Sequence, residues 1–166
     1  MSEPWLSGPI PGVDALIAPV LYTFQQTIEE LTAHTEGLSA EELWSRPMGM
    51  TPAGFHIRHA GGAAERLSTY LRGEQLSAEQ IAAMKTESDP GASREQLLAE
   101  LAAKLTACEA IIRAVDPAAL RDARGVGRKQ LPTTVNGLIV HIAEHTMRHA
   151  GQAVTTIKLV KALRTA

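Results

Sequence analysis

Apolar residues recur along most of the chain at three- and four-residue intervals, the spacing of one helix face, and seldom alternate in the two-residue rhythm of a strand. Leu16, Val20, Phe24, Ile28 and Leu31 carry such a stripe through a first long helix predicted from about Val13 to His34, closed by Gly37. Pro19 falls inside that pattern, so a kink there or a later helix start is expected. Thr51 before Pro52 reads as an N-cap followed by proline at the first helical position. It opens a second long helix that ends near Gly73, with Ala60, Ala63, Ala64, Leu67 and Leu71 as its stripe. Ser93 and Gln96 form a capping-box signature ahead of a third helix, whose stripe of Leu97, Leu101, Leu105, Cys108, Ile112 and Val115 stops at Asp116 and Pro117. A fourth is predicted from Thr133 or Thr134 to about Ala162. Ser39 with Glu42 and Ser77 with Gln80 mark shorter connecting helices, and residues 117 to 132 are the least regular stretch. The pattern predicts an all-α protein, a four-helix bundle with short connecting helices, in a single domain over residues 1–166 preceded by an extended leader, 1–12.

Composition narrows the partners. The chain has 166 residues, 45% hydrophobic, which suits one substantial core. Sixteen Lys and Arg against 18 acidic residues leave no surplus of positive charge for a phosphate backbone, which argues against nucleic acid. No segment reads as a signal peptide or a membrane span, so a cytoplasmic protein is expected. Cys108 is the only cysteine and lies in step with an apolar stripe, where it reads as a small core residue.

The chemistry is concentrated in histidine. Five of the six histidines fall in two short segments, "GFHIRHAGGAAERL" and "HIAEHTMRHAGQ". His141, His145 and His149 are four residues apart, so on a helix they share a face with Leu138, Ile142, Thr156, Val160 and Gln152. Imidazoles at i and i+4 are close enough to chelate one ion, and neutral imidazole is the commonest metal ligand. Three buried together without a metal leave several ring nitrogens in need of partners, at about 1 to 3 kcal/mol each if unsatisfied. A third ligand is then expected from the second helix, where His56 points along the centre of the stripe and His59 toward its edge; spacing alone leaves both open.

Those two segments resemble the DinB/YfiT-like superfamily of small metal-binding helical bundles, over nearly the whole chain. The H-x-x-x-H-x-G-Q ending is the more specific part of the likeness. The resemblance implies an up-down-down-up four-helix bundle holding a divalent metal, often nickel or zinc, with iron or manganese as further options. It implies as ligands one histidine of the second helix and two of the last. The downstream pair matches His145 and His149, and the upstream histidine matches His59 better than His56. His56 and His141 then become pocket-lining groups, and Gln152 could hydrogen-bond a bound ligand. The family further implies thiol transfer or isomerisation with a low-molecular-weight thiol, or hydrolysis, on a small-molecule substrate, and a homodimer.

Three neutral ligands leave a divalent ion charged and with an open position, the arrangement of a catalytic site. His141 is the expected proton carrier, while Glu144 turns about 100° away from His145 toward solvent. Glu65 with Arg66 reads as a helix-surface charge pair. Arg121, Arg124, Arg128 and Lys129 could cover the open position, although a solvated loop is the simpler expectation. The competing function is a non-catalytic module with a structural metal or histidine cluster, dimeric through small-residue surfaces such as residues 60 to 64. A carboxylate-bridged di-iron centre is disfavoured, because neither segment supplies the E-x-x-H motif it needs.

Overall fold

The computed structural model describes residues 3–164. The first two residues of the expected leader and the last two of the expected domain lie outside them. The long helices are α1 (Ala18–His34), α3 (Ala53–Leu71), α5 (Arg94–Arg113) and α6 (Val135–Leu163), with short helices α2 (Ala40–Leu43) and α4 (Ala78–Lys85) between them. Each long helix packs against two others: α3 lies against α5 and α6, and α1 lies against the same pair. Phe24, Leu31, Ile57, Leu97, Leu105, Ile139 and Ile157 are among the fully buried side chains of the core they enclose. Among the described residues, no helix is long and apolar enough to cross a membrane.

The helix ends form where the local chemistry puts them. All three capping boxes close as the spacing predicts, Ser39 with Glu42, Ser77 with Gln80 and Ser93 with Gln96, each satisfying backbone donors that a helix start leaves unpaired. Thr134 caps α6 by accepting from the Gly137 amide. The start of α1 takes the later of the two expected forms, and the start of α3 differs from expectation. Pro19 does not kink α1; it lies in its first turn, where a missing N–H costs nothing, and the helix begins at Ala18 rather than Val13. Leu16 is consequently outside the helix and 69% exposed. Likewise Pro52, with extended backbone, takes the N-cap position of α3 and Thr51 does not cap it.

The leader is not extended. Pro4–Ser7 forms a 3-10 turn with Pro4 buried, Tyr22 donates to the Gly8 carbonyl, and Ile10 and Val13 pack on the core. The irregular stretch is also ordered, and it departs from the all-α expectation. Ala123–Val126 (β1) and Leu131–Thr134 (β2) pair antiparallel, with Arg124 opposite Thr133. Gly127 and Gln130 turn the chain with positive φ, which glycine adopts freely. Four-residue strands that include a glycine and a proline carry too little β signal to stand out in the sequence.

Candidate metal centre

Three features of α3 and α6 create the site. First, the helices run antiparallel in close register, with the Thr156 hydroxyl 3.3 Å from the Thr51 carbonyl at one end and Leu71 lining a cavity with Val135 at the other. Second, α3 is small where it is crossed. Ala60, Gly61, Gly62, Ala63 and Ala64 are all buried, and a Cβ on Gly61 would sit 3.4 Å from the Leu101 backbone of α5. The small-residue surface is therefore consumed inside the chain and does not offer itself to a second copy. Third, the buried stripe of α6, Ile142, Thr146, Ala150 and Ala153, is centred about 90° around the helix from His145. His149 turns toward that stripe and His141 away, so burial grades along the row: His141 is 48% exposed, while His145 and His149 are half-buried.

His59, His145 and His149 each offer a ring nitrogen, and these atoms lie within 4.8 Å of one another. Ring centroids are 4.5 Å apart for His59 and His149, 4.6 Å for His145 and His149, and 5.1 Å for His59 and His145. Nitrogens around a tetrahedral ion at ~2.0 to 2.1 Å lie about 3.3 Å apart, so small side-chain rotations close the group onto one ion. His145 Nδ1 is buried and has no hydrogen-bond partner among the described residues, the kind of orphaned acceptor that a cation satisfies. Burial, then the neighbouring His59 ring, push the His145 imidazole down to about 4 and that of His149 down to about 3. Both are therefore neutral near pH 7 and present lone pairs rather than charge. The donor set fits a divalent metal.

The groups around these rings are equally specific. His56, buried under α6, places its Nδ1 3.0 Å from His149 Nδ1, so the two share one proton. With that proton on His149, its Nε2 is left as a free acceptor. Burial, then the nearby His59, also lower the His56 pKa. The His59 ring stacks on Phe55 at 5.2 Å, and its Nδ1 is 2.7 Å from Glu87 Oε2. Glu87 is itself buried, with Oε1 2.5 Å from an Arg66 guanidinium nitrogen. Burial raises the Glu87 pKa, but hydrogen bonds from His59 and Arg66 and their charges outweigh it, leaving a net lowering.

Of the expected site residues, His59, His145 and His149 come together. His56 contacts His149 from the side. His141 stays at the solvent edge, its Nδ1 3.3 Å from Glu144, and its ring 5.5 Å from that of His145. Glu144 is exposed and pairs with Arg148. Gln152 is exposed and lines a depression of ≈ 500 Å³ together with His56, Arg148, Thr155 and Thr156. Arg124 of the basic stretch does not reach the site: it donates to the Leu71 carbonyl at the C-terminal end of α3, about 18 Å along the helix from His59. Arg66 corrects its sequence reading. It is buried and pairs with Glu87, not with Glu65 on the surface.

Glu87 itself escaped the sequence reading. It follows α4 in a loop that Arg58 pins through the Thr86, Glu87 and Asp89 carbonyls. A faint signal existed on α3, where His59, Gly62 and Arg66 fall on one face: a gap the size of a glycine between a histidine and an arginine. The gap is filled by the Glu87 carboxylate, which would lie 2.3 Å from a Cβ on Gly62.

The family described as the DinB superfamily matches residues 23–153, a span that contains His56, His59, Arg66, Glu87, His141, His145, His149 and Gln152. No curated protein matches the chain.

Proposed function

Because the chain belongs to the DinB superfamily, and because three imidazoles from two of its helices converge, we propose that it is a divalent-metal enzyme of small-molecule chemistry. His59, His145 and His149 hold one ion, nickel or zinc before iron or manganese, on the cluster of converging ring nitrogens that carries this reading. The four long helices are read as a four-helix bundle of the family's up-down-down-up type, one domain, with the site between its second and fourth long helices. An ion held by three uncharged ligands keeps its charge and supplies Lewis acidity to a substrate group bound beside it.

The protein's own residues do the rest. The depression walled by His56, Arg148, Gln152 and Thr155 adjoins His149 and offers hydrogen-bond donors and one cation to a small polar substrate. His141, half exposed one turn from His145, exchanges protons with solvent and passes them at the rim. Thiol transfer with a low-molecular-weight thiol, or hydrolysis, is the reaction class proposed, in a cytoplasmic homodimer.

Elemental analysis of untagged protein tests the metal, with about one nickel or zinc per chain expected and loss of it in His145→Ala. A thiol-binding and conjugation assay on the loaded protein tests the chemistry. Fully folded protein with no affinity for added nickel or zinc overturns the proposal. A chelator that lowers the melting temperature of a protein inactive toward thiols and hydrolysable substrates assigns the metal a structural role instead.

A further inference from the structure

We infer that Glu87, clamped by Arg66 in the space left by Gly62, is a positioning residue that fixes the tautomer of His59 and so turns its Nε2 lone pair into a metal ligand. The inference rests on the metal centre proposed above and deepens it.

The argument is one of donors and acceptors. Ionised carboxylate only accepts, so the 2.7 Å contact between Glu87 Oε2 and His59 Nδ1 requires the proton on Nδ1. In the neutral ring Nε2 is then bare. Stacking on Phe55 holds the ring plane, so the lone pair stays directed while the ring rocks little. The carboxylate is fixed in turn. Its other oxygen receives the Arg66 guanidinium at 2.5 Å, both groups are buried, and Gly62 has no side chain to displace them. Such outer partners orient metal-binding imidazoles and raise their basicity. Arg66 is itself buried, and its pairing with Glu87 explains why a guanidinium is buried there at all.

Glu87→Gln gives a sharp test, because the arginine has only donors and forces the amide oxygen to face it. The amide NH2 then faces His59 and demands an acceptor at Nδ1, which moves the ring proton to Nε2. Three measurements on the full chain separate the possibilities. In chelator-stripped, nitrogen-15-labelled wild type, long-range proton–nitrogen correlation is expected to find His59 protonated on Nδ1; finding it on Nε2 overturns the inference without any variant having to fold. In Glu87→Gln the same spectrum is expected to show the opposite tautomer, and calorimetric titration with nickel chloride an affinity about 10- to 100-fold weaker, partly restored in Glu87→Asp. Wild-type affinity in Glu87→Gln overturns the inference and leaves the metal centre standing. A wild type that takes up no nickel overturns the metal centre, and with it the ligand role of Nε2.

Discussion

The antiparallel pair α3 and α6 carries two depressions of nearly equal volume, and they could hardly differ more in character. Near the N-terminal third of α3, ≈ 500 Å³ is bounded by His56, Arg148, Gln152 and threonine hydroxyls, beside the three converging rings. At the far end of the same helix, ≈ 490 Å³ is lined by Leu71, Ile111, Val115 and Val135, with Arg72, Asp116 and Arg124 at its margin. Space alone does not distinguish the two. What does is commitment: at the apolar end Arg124 is spent on the Leu71 carbonyl. At the other end one buried ring nitrogen, His145 Nδ1, has no hydrogen-bond partner among the described residues. An unpartnered buried ring nitrogen, and not a hollow, sets the histidine end apart.

The contrast breaks most readily at a ligand. His149→Ala removes one of the three rings proposed to hold the metal while leaving the core of α6 in place. Apparent free energies of ~10 to 16 kcal/mol for four-ligand zinc sites put roughly 3 kcal/mol on each ligand, so affinity for nickel or zinc is expected to fall about a hundredfold or more. Calorimetric titration measures it. Undiminished affinity would remove the distinction between the two ends.

Gly62→Ala acts one layer out. In an ordinary helix interior the change stabilises by up to about 1 kcal/mol, but here the new Cβ meets Glu87 Oε1 at 2.3 Å and the Arg66 guanidinium at 3.0 Å. The carboxylate must move off His59, and metal affinity is expected to drop about tenfold, with no gain in melting temperature. A more stable protein with unchanged affinity would show that the gap between His59 and Arg66 is incidental.

Acid should weaken the histidine end selectively. His145 and His149 titrate near 4 and 3 in the folded chain against an ordinary value near 6.5, so the unfolded chain binds more protons between those limits. The stability they contribute is complete above about pH 6.5 and is lost as pH falls toward 4 and then 3. For metal-free protein, a melting temperature lower by roughly 5 °C or more at pH 5 than at pH 7 is expected by calorimetry. His145→Ala should flatten that slope, since it removes one of the two groups.

These effects differ in how far the sequence foretells them. His145 and His149 declare themselves, because helical spacing is local and two imidazoles one turn apart need no tertiary knowledge to be paired. The capping boxes at Ser39, Ser77 and Ser93 are equally local, and all three form. The choice between His56 and His59 is not local. It depends on how α3 is rotated against α6, and the wheel of α3 alone leaves both open, although only His59 groups with His145 and His149. Glu87 is further still from legibility. It reaches His59 across 28 residues, from a loop whose position is set by Arg58 and the packing of α4. The β-hairpin escaped for a different reason: its strands are held by pairing and a turn, and four residues leave no periodicity to read.

The smallest effect tests the apolar end. Arg124 Nε donates to the Leu71 carbonyl at 2.8 Å, satisfying one of the acceptors that the end of α3 leaves unpaired and tying β1 to that helix. Arg124→Ala removes this bond, together with the cover its stem gives to the apolar depression. The expected loss is about 1 kcal/mol, a fall in melting temperature of roughly 2 to 4 °C for a chain of this size. Metal affinity should be unchanged, because the site lies about 18 Å away along a helix whose central turns are packed on both sides. If Arg124→Ala weakened metal binding as much as Gly62→Ala does, the basic stretch would be acting on the site after all, and the two ends of the helix pair would have to be treated as one.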